Sequence, residues 1–209
     1  MIKIKLWGFS GSTYVRTVRM LLAEKEATGY EQVPIDVLKG EPKSPEHRER
    51  HPFGKVPVVD VDDFRIIETP AITRYLDAVL PGIRLVPADP KDAARMDMVV
   101  SIIDSYGYGP IIGGVVAYHL FPEFVGGKNK EMHQAGLENG KKVMAELMKL
   151  KGSSPYLAGG EISIADLYLA PLVAYVAVTP HRDEFLEIPG VSAWWTSISS
   201  RESFRSTQQ

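Results

Sequence analysis

The chain has 209 residues, 44% apolar and 24% charged, with a formal net charge of −2. These values exclude a disordered or fibrous chain and give nucleic acid or an anionic membrane no electrostatic hold. Cysteine is absent, which excludes disulfides, thiolate metal sites and a thiol nucleophile, so any sulfur chemistry arrives with a substrate.

No apolar run reaches the ~20 residues of a membrane span. The opening MIKIKLWGF alternates where a signal peptide would carry a continuous apolar block. A cytoplasmic location without a membrane partner is therefore expected. The five histidines, His47, His51, His119, His133 and His181, lack close metal-ligand spacing. They read as surface or packing residues, and no metal is expected.

IKIKLW alternates with period two and predicts a half-buried strand. GFSGST follows as a small-residue loop. From Tyr14 the period changes: Val15, Val18, Leu21, Leu22 and Lys25 share a helical stripe, with Arg16 and Arg19 toward other faces. YEQVPID predicts a second short strand. LKGEPKSPEHRERHPFG is rich in proline and charge and reads as a loop with at most a helical turn. VPVVDV and FRIIE form a hairpin across Asp62-Asp63. Thr69 as N-cap and Pro70 at the first helical position then start a helix running to about Leu80.

PGIRLVPADP holds three of the fifteen prolines and reads as an interdomain linker. Beyond it every pattern is helical. A run from about Asp89 meets YGYGPIIGG, where glycines and Pro110 should kink or break it. A second helix spans about 128–151. Ser163 and Asp166 form a capping-box-like start to an almost wholly apolar core helix. A last amphipathic helix is packed by Trp194 or Trp195. The element order predicts an α/β domain, βαβ-ββα with a mixed sheet (1–80), a linker (81–90) and an all-α helical-bundle domain (91–209).

Three features carry candidate chemistry. Pro57 within an apolar strand belongs on an edge or at a special turn; a cis Val56-Pro57 bond would turn the Val56 backbone outward to pair with an extended peptide, whereas a trans bond makes it an ordinary edge residue. Glu68 and Thr69 stand where a strand becomes a helix. The helix start can hold a carboxylate, with the Thr69 hydroxyl and amide as donors, and Glu68 can accept from an ammonium. Together they suit an α-amino acid head group, or they are a plain cap after a solvated acid. In GFSGST the hydroxyls of Ser10, Ser12 and Thr13 crowd another helix start. Lowering a thiol pKa from about 8.5 to 7 takes about 2 kcal/mol, and a hydrogen bond to a charged group supplies about 1.5–3 kcal/mol.

The order of these features resembles the glutathione transferase family over nearly the whole chain. HPFGKVPVVDVDDFRIIETPAITRYL is similar to the family's Asn-Pro-Phe-Gly, Val-Pro, hairpin and Glu-Ser signature. YLAGGEISIADLYLAP is similar to the core-helix motif of the second domain, and VSAWWTSISSRESF to its closing helix. LWGFSGSTYVRTV looks most like the serine-type, phi-class start and its bacterial relatives, since Trp7 stands where the tyrosine classes carry their tyrosine.

The resemblance implies a thioredoxin-like fold for the first domain and a detoxifying, homodimeric transferase with glutathione as co-substrate and an apolar electrophile as second substrate. It implies that Ser12 donates to the glutathione sulfur, with Thr13 and Ser10 as rivals. Val56 before cis-Pro57 would pair with the cysteinyl part, Glu68 and Thr69 would hold the γ-glutamyl head group, Lys55 would touch the same region and Lys43 would meet the glycine carboxylate. Phe9, Gly11, Tyr108 and Ile112 are candidates for the electrophile pocket. Thr69 replaces the family's usual serine, and Pro42 stands where a histidine is common. Glutathione-dependent dehalogenation, ether cleavage, isomerisation or peroxide reduction are alternative reactions; a non-catalytic ligand-binding module is the alternative of another class.

Overall fold

A computed structural model describes residues 2–208. The chain divides into two compact units: one runs through Arg84 and takes in the segment from Glu202, and the other is Leu85–Arg201.

In the first unit, β1 (Ile4–Trp7) buries Ile4 and Leu6 on alternate positions. Helix α1 (Thr13–Glu24) begins at the cap Ser12 and buries Val15, Val18, Leu21 and Leu22. It returns the chain to β2 (Glu31–Val33), which pairs parallel to β1. The polar segment after β2 holds more structure than a single turn. A 3₁₀ turn at Glu41–Lys43 precedes α2 (Pro45–Arg50), where Ser44 caps the helix and Pro45 needs no amide donor.

Strands β3 (Val58–Val61) and β4 (Phe64–Ile66) form the expected hairpin, and β3 lies antiparallel to β1. The four-stranded sheet has the order β2-β1-β3-β4. Helix α3 (Thr69–Val79) follows and buries Ile72 and Leu76. Its start lies one residue earlier than expected. Glu68 is the cap, at φ 66° and ψ 116°, and its carbonyl accepts the first intrahelical bond from the Ile72 amide. Thr69 is thus already helical. The chain reverses at Glu68, so the cap falls there.

Arg16 also departs from expectation. Its side chain is buried, donates to the Phe204 carbonyl at 3.1 Å and stacks 4.2 Å from the Phe204 ring. Helix α10 (Glu202–Arg205) covers it. A face that looks polar along α1 is closed by residues nearly the whole chain away.

The second unit starts with α4 (Pro90–Ile102), capped by the Asp89 carboxylate on the amides of Lys91 and Asp92. At YGYGPIIGG the helix does not break. It widens into π-type turns over Ile103–Gly107 and Gly109–Val116, bends by 42° between them at Tyr108, and continues into α5 (Ala117–Leu120). Wider turns absorb the missing Pro110 donor. Helix α6 (Lys130–Lys151) crosses this segment where Gly136 meets Gly114; a Cβ on Gly136 would lie 2.8 Å from Gly114 Cα.

Helix α7 (Ile164–Val176) is the buried centre. Asp166 accepts from the Ser163 amide and hydroxyl, the Leu157 amide and the Trp194 indole at 2.9–3.0 Å. Burial pushes its carboxyl above the usual range against the pull of those donors. Short α8 (Arg182–Leu186) and α9 (Val191–Ser199) close the unit, and Trp194 rather than Trp195 is the buried tryptophan.

Candidate active site

Strand register places the candidate residues at one end of the sheet. Trp7 pairs with Val58, so the loop leaving β1 and the Val56-Pro57 segment entering β3 emerge together. Val59 pairs with Ile66, so β4 also runs toward that end and delivers Glu68 and Thr69 there. Helices α1 and α3 both begin at this end, and neither carries an acid in its first turn. Their unpaired amides therefore leave a positive potential that no carboxylate inside either first turn offsets.

The three candidate hydroxyls differ. Ser10 is exposed, and its oxygen accepts from Gln32 Nε2 at 3.1 Å. Thr13 is buried, and its hydroxyl has no hydrogen-bond partner. Ser12 is half-buried at the cap, where its oxygen accepts a long 3.4 Å bond from the Val15 amide. Accepting that bond leaves the Ser12 proton free to donate.

The Val56-Pro57 bond is cis. Lys55 is exposed, and its carbonyl accepts at 2.8 Å from Nε2 of the fully buried His47. Gly54, at φ 59°, packs against the Pro42 carbonyl so closely that a Cβ would lie 2.6 Å from it; Lys43 follows directly and is exposed. The 43 and 54–55 segments are thus neighbours, and Pro42 holds them together as buried packing.

The Glu68 side chain is 64% exposed and makes no cap bond; its Oε1 lies 3.9 Å from Nε2 of buried His51. Burial keeps the His51 pKa below the ordinary histidine range, although Glu68 pulls it upward. A neutral His51 leaves the Glu68 charge available. Thr69 is buried at the first position of α3.

His47 and His51 are the residues that sequence reading missed. Their spacing of four, in a segment bounded by prolines, was the available signal: it aligns both on one face of α2 and its cap. Trp7 is not a free aromatic. Its indole donates to Asp60 at 2.8 Å, and the Arg50 guanidinium covers the ring at 4.1 Å. Phe9, Gly11 and Ser12 share the loop into α1, where the Phe9 ring fills the space beside Gly11. Tyr108 and Ile112 belong to the widened helix of the second unit.

Two family models match the chain. The N-terminal domain of glutathione S-transferase matches residues 2–78, and its C-terminal domain residues 102–202. The chain belongs to the glutathione S-transferase family. Relatives of this transferase include a probable glutathione S-transferase of Oryza sativa subsp. japonica, 34% identical over 97% of the chain and 94% of the relative. Another, from Arabidopsis thaliana, is 33% identical over 97% and 98%. Both are plant phi-class proteins.

Among solved structures, a glutathione transferase from Populus trichocarpa superposes with a TM-score of 0.86 at 31% identity, covering 98% of this chain and 97% of that one. A glutathione S-transferase-I bound with lactoylglutathione superposes at 0.84 with 28% identity, covering 98% and 97%. Among the described residues no single helix is long and apolar enough to cross a membrane.

Proposed function

We propose that this transferase binds glutathione at the shared end of its first sheet and ionises it there for attack on an apolar electrophile. One observation carries the reading: the beginnings of α1 and α3 and the cis-Pro57 segment emerge side by side through the Trp7–Val58 and Val59–Ile66 register.

In this reading Glu68 accepts from the γ-glutamyl ammonium, and the Thr69 hydroxyl and amide hold its carboxylate at the start of α3. The Val56 backbone pairs with the cysteinyl unit. Lys55 touches the γ-glutamyl region, and Lys43 meets the anionic glycine end. Ser12 donates its free proton to the sulfur. One charge-assisted hydrogen bond of about 1.5–3 kcal/mol, with about 0.3–1 kcal/mol from the helix start, covers the about 2 kcal/mol that ionisation at pH 7 requires. No general base is needed. Holding thiolate and electrophile together supplies the rest of the rate. The second substrate is an apolar electrophile, and the transferase works as a cytoplasmic homodimer.

Ultraviolet thiolate absorbance of the glutathione complex tests the central role. Ser12→Ala abolishes the signal at neutral pH while glutathione is still retained, and turnover of a chloro-nitroaromatic falls with it. A signal unchanged in Ser12→Ala moves the role to Thr13 or Ser10. Failure to retain glutathione in the unaltered chain sinks the reading.

A further inference from the structure

The histidines of the second unit are not scattered surface residues. His119 in α5, His133 in the first turn of α6 and His181 at the cap of α8 meet as a triangle. Their ring centroids are 5.0, 5.2 and 4.9 Å apart, and one nitrogen from each lies within 4.8 Å of the other two.

Hydrogen bonding assigns the tautomers. His133 Nδ1 lies 3.1 Å from the Gly114 carbonyl, which only accepts, so this nitrogen carries a proton. His181 Nδ1 lies 2.7 Å from Glu184 Oε1 and donates to that carboxylate. The Nε2 lone pairs of both rings are then left facing each other at 3.1 Å. Two lone pairs at that distance repel unless a proton or a metal cation lies between them. The third ring adds to the demand: His119 Nε2 is buried and has no hydrogen-bond partner.

We propose that His119, His133 and His181 form a binding site for a borderline transition-metal dication of the Zn²⁺ type. Three neutral imidazoles are a sufficient protein ligand set, with water as the fourth ligand. Zn–N bonds of about 2.0–2.1 Å at tetrahedral angles put ligand nitrogens about 3.4 Å apart. The His133–His181 pair already stands near that separation, and ring rotation closes the third. Glu184 orients His181 in the manner of a carboxylate–histidine–metal relay. Lys141 holds its other oxygen at 2.7 Å. The Tyr118 ring stacks 4.2 Å from His133, with Lys128 on that ring. The ligands come from three helices, so a bound ion ties α5, α6 and α8 together.

The test uses the full chain without a polyhistidine tag, stripped with chelator and titrated with Zn²⁺ alone by calorimetry. The expected result is about one equivalent bound, with a rise in thermal midpoint because the ion binds the folded state. His133→Gln abolishes binding, and Glu184→Gln weakens it about 10-fold. No saturable binding, or binding unchanged in His133→Gln, overturns the site. Should His133→Gln fail to fold, Co²⁺ added to the unaltered chain decides. An intense tetrahedral absorption spectrum supports the site, and a weak octahedral one removes it.

Discussion

Lys25 Nζ lies 2.6 Å from Asp77 Oδ1 and 2.9 Å from the Asp77 carbonyl, with the two side chains only 1% and 4% exposed. Lys25 caps the end of α1, and Asp77 stands in the last turns of α3. The pair therefore joins the far ends of the two helices whose beginnings frame the proposed glutathione site. Removing either partner leaves the other's charge buried without this ion pair. Lys25→Met and Asp77→Leu should each cost about 3–5 kcal/mol, while the double variant recovers most of that loss. Urea denaturation of the three variants measures both quantities.

Glu68 should matter to binding rather than to folding. Its carboxylate is mostly exposed and makes no cap bond. Glu68→Gln keeps the shape and deletes the charge offered to an ammonium. The KM for glutathione should rise about 10- to 100-fold, the equivalent of one lost charge-assisted hydrogen bond, with kcat little changed. Steady-state kinetics at varied glutathione reads the split, and an unaltered melting temperature separates it from misfolding.

Gly136 sets the distance between α6 and the widened helix. A Cβ there would lie 2.8 Å from Gly114 Cα and 2.9 Å from the Pro110 carbonyl, both backbone atoms that cannot rotate aside. Gly136→Ala should destabilise the chain by about 1–3 kcal/mol through overpacking. At Gly113 a Cβ would meet open space, so Gly113→Ala should leave stability unchanged or slightly raised. Chemical denaturation of the pair provides the comparison.

Acid sensitivity should trace in part to Asp60. The Arg65 guanidinium binds both of its oxygens, at 2.6 and 2.8 Å, and the Trp7 indole donates a further bond. Arg65 first, then Trp7, holds this carboxyl below the usual range, against the opposing effect of burial. A carboxyl whose folded pKa is lowered contributes stability above its unfolded value of about 3.9, and that contribution disappears as pH falls through the folded value. Asp60→Asn should therefore lower stability at neutral pH and flatten the decline below about pH 4. Urea midpoints measured across that range test the slope.

Much of the architecture was legible in local patterns. The Asp62-Asp63 hairpin, the helix start near Asp89, the Ser163–Asp166 capping box, and the stripe that puts Lys25 on the buried face of α1 all depend on residues within a few positions of one another. The order of Val56-Pro57, Glu68-Thr69 and the serine loop was legible for the same reason, and so was the family. The start of α3 slipped by one residue because the positive φ of Glu68 is a property of the hairpin's exit, not of the Thr-Pro pair. Long-range contacts left no such trace. Arg16 reads as a surface charge until Phe204 closes over it. His47 and His51 read as surface or packing residues, and only the packing of α2 beside Lys55 and Glu68 decides between the two. The His119–His133–His181 triangle exists only because three helices with unrelated sequence patterns pack with those rings inward. Periodicity reports which face of an element is apolar, but side-chain convergence depends on where elements meet.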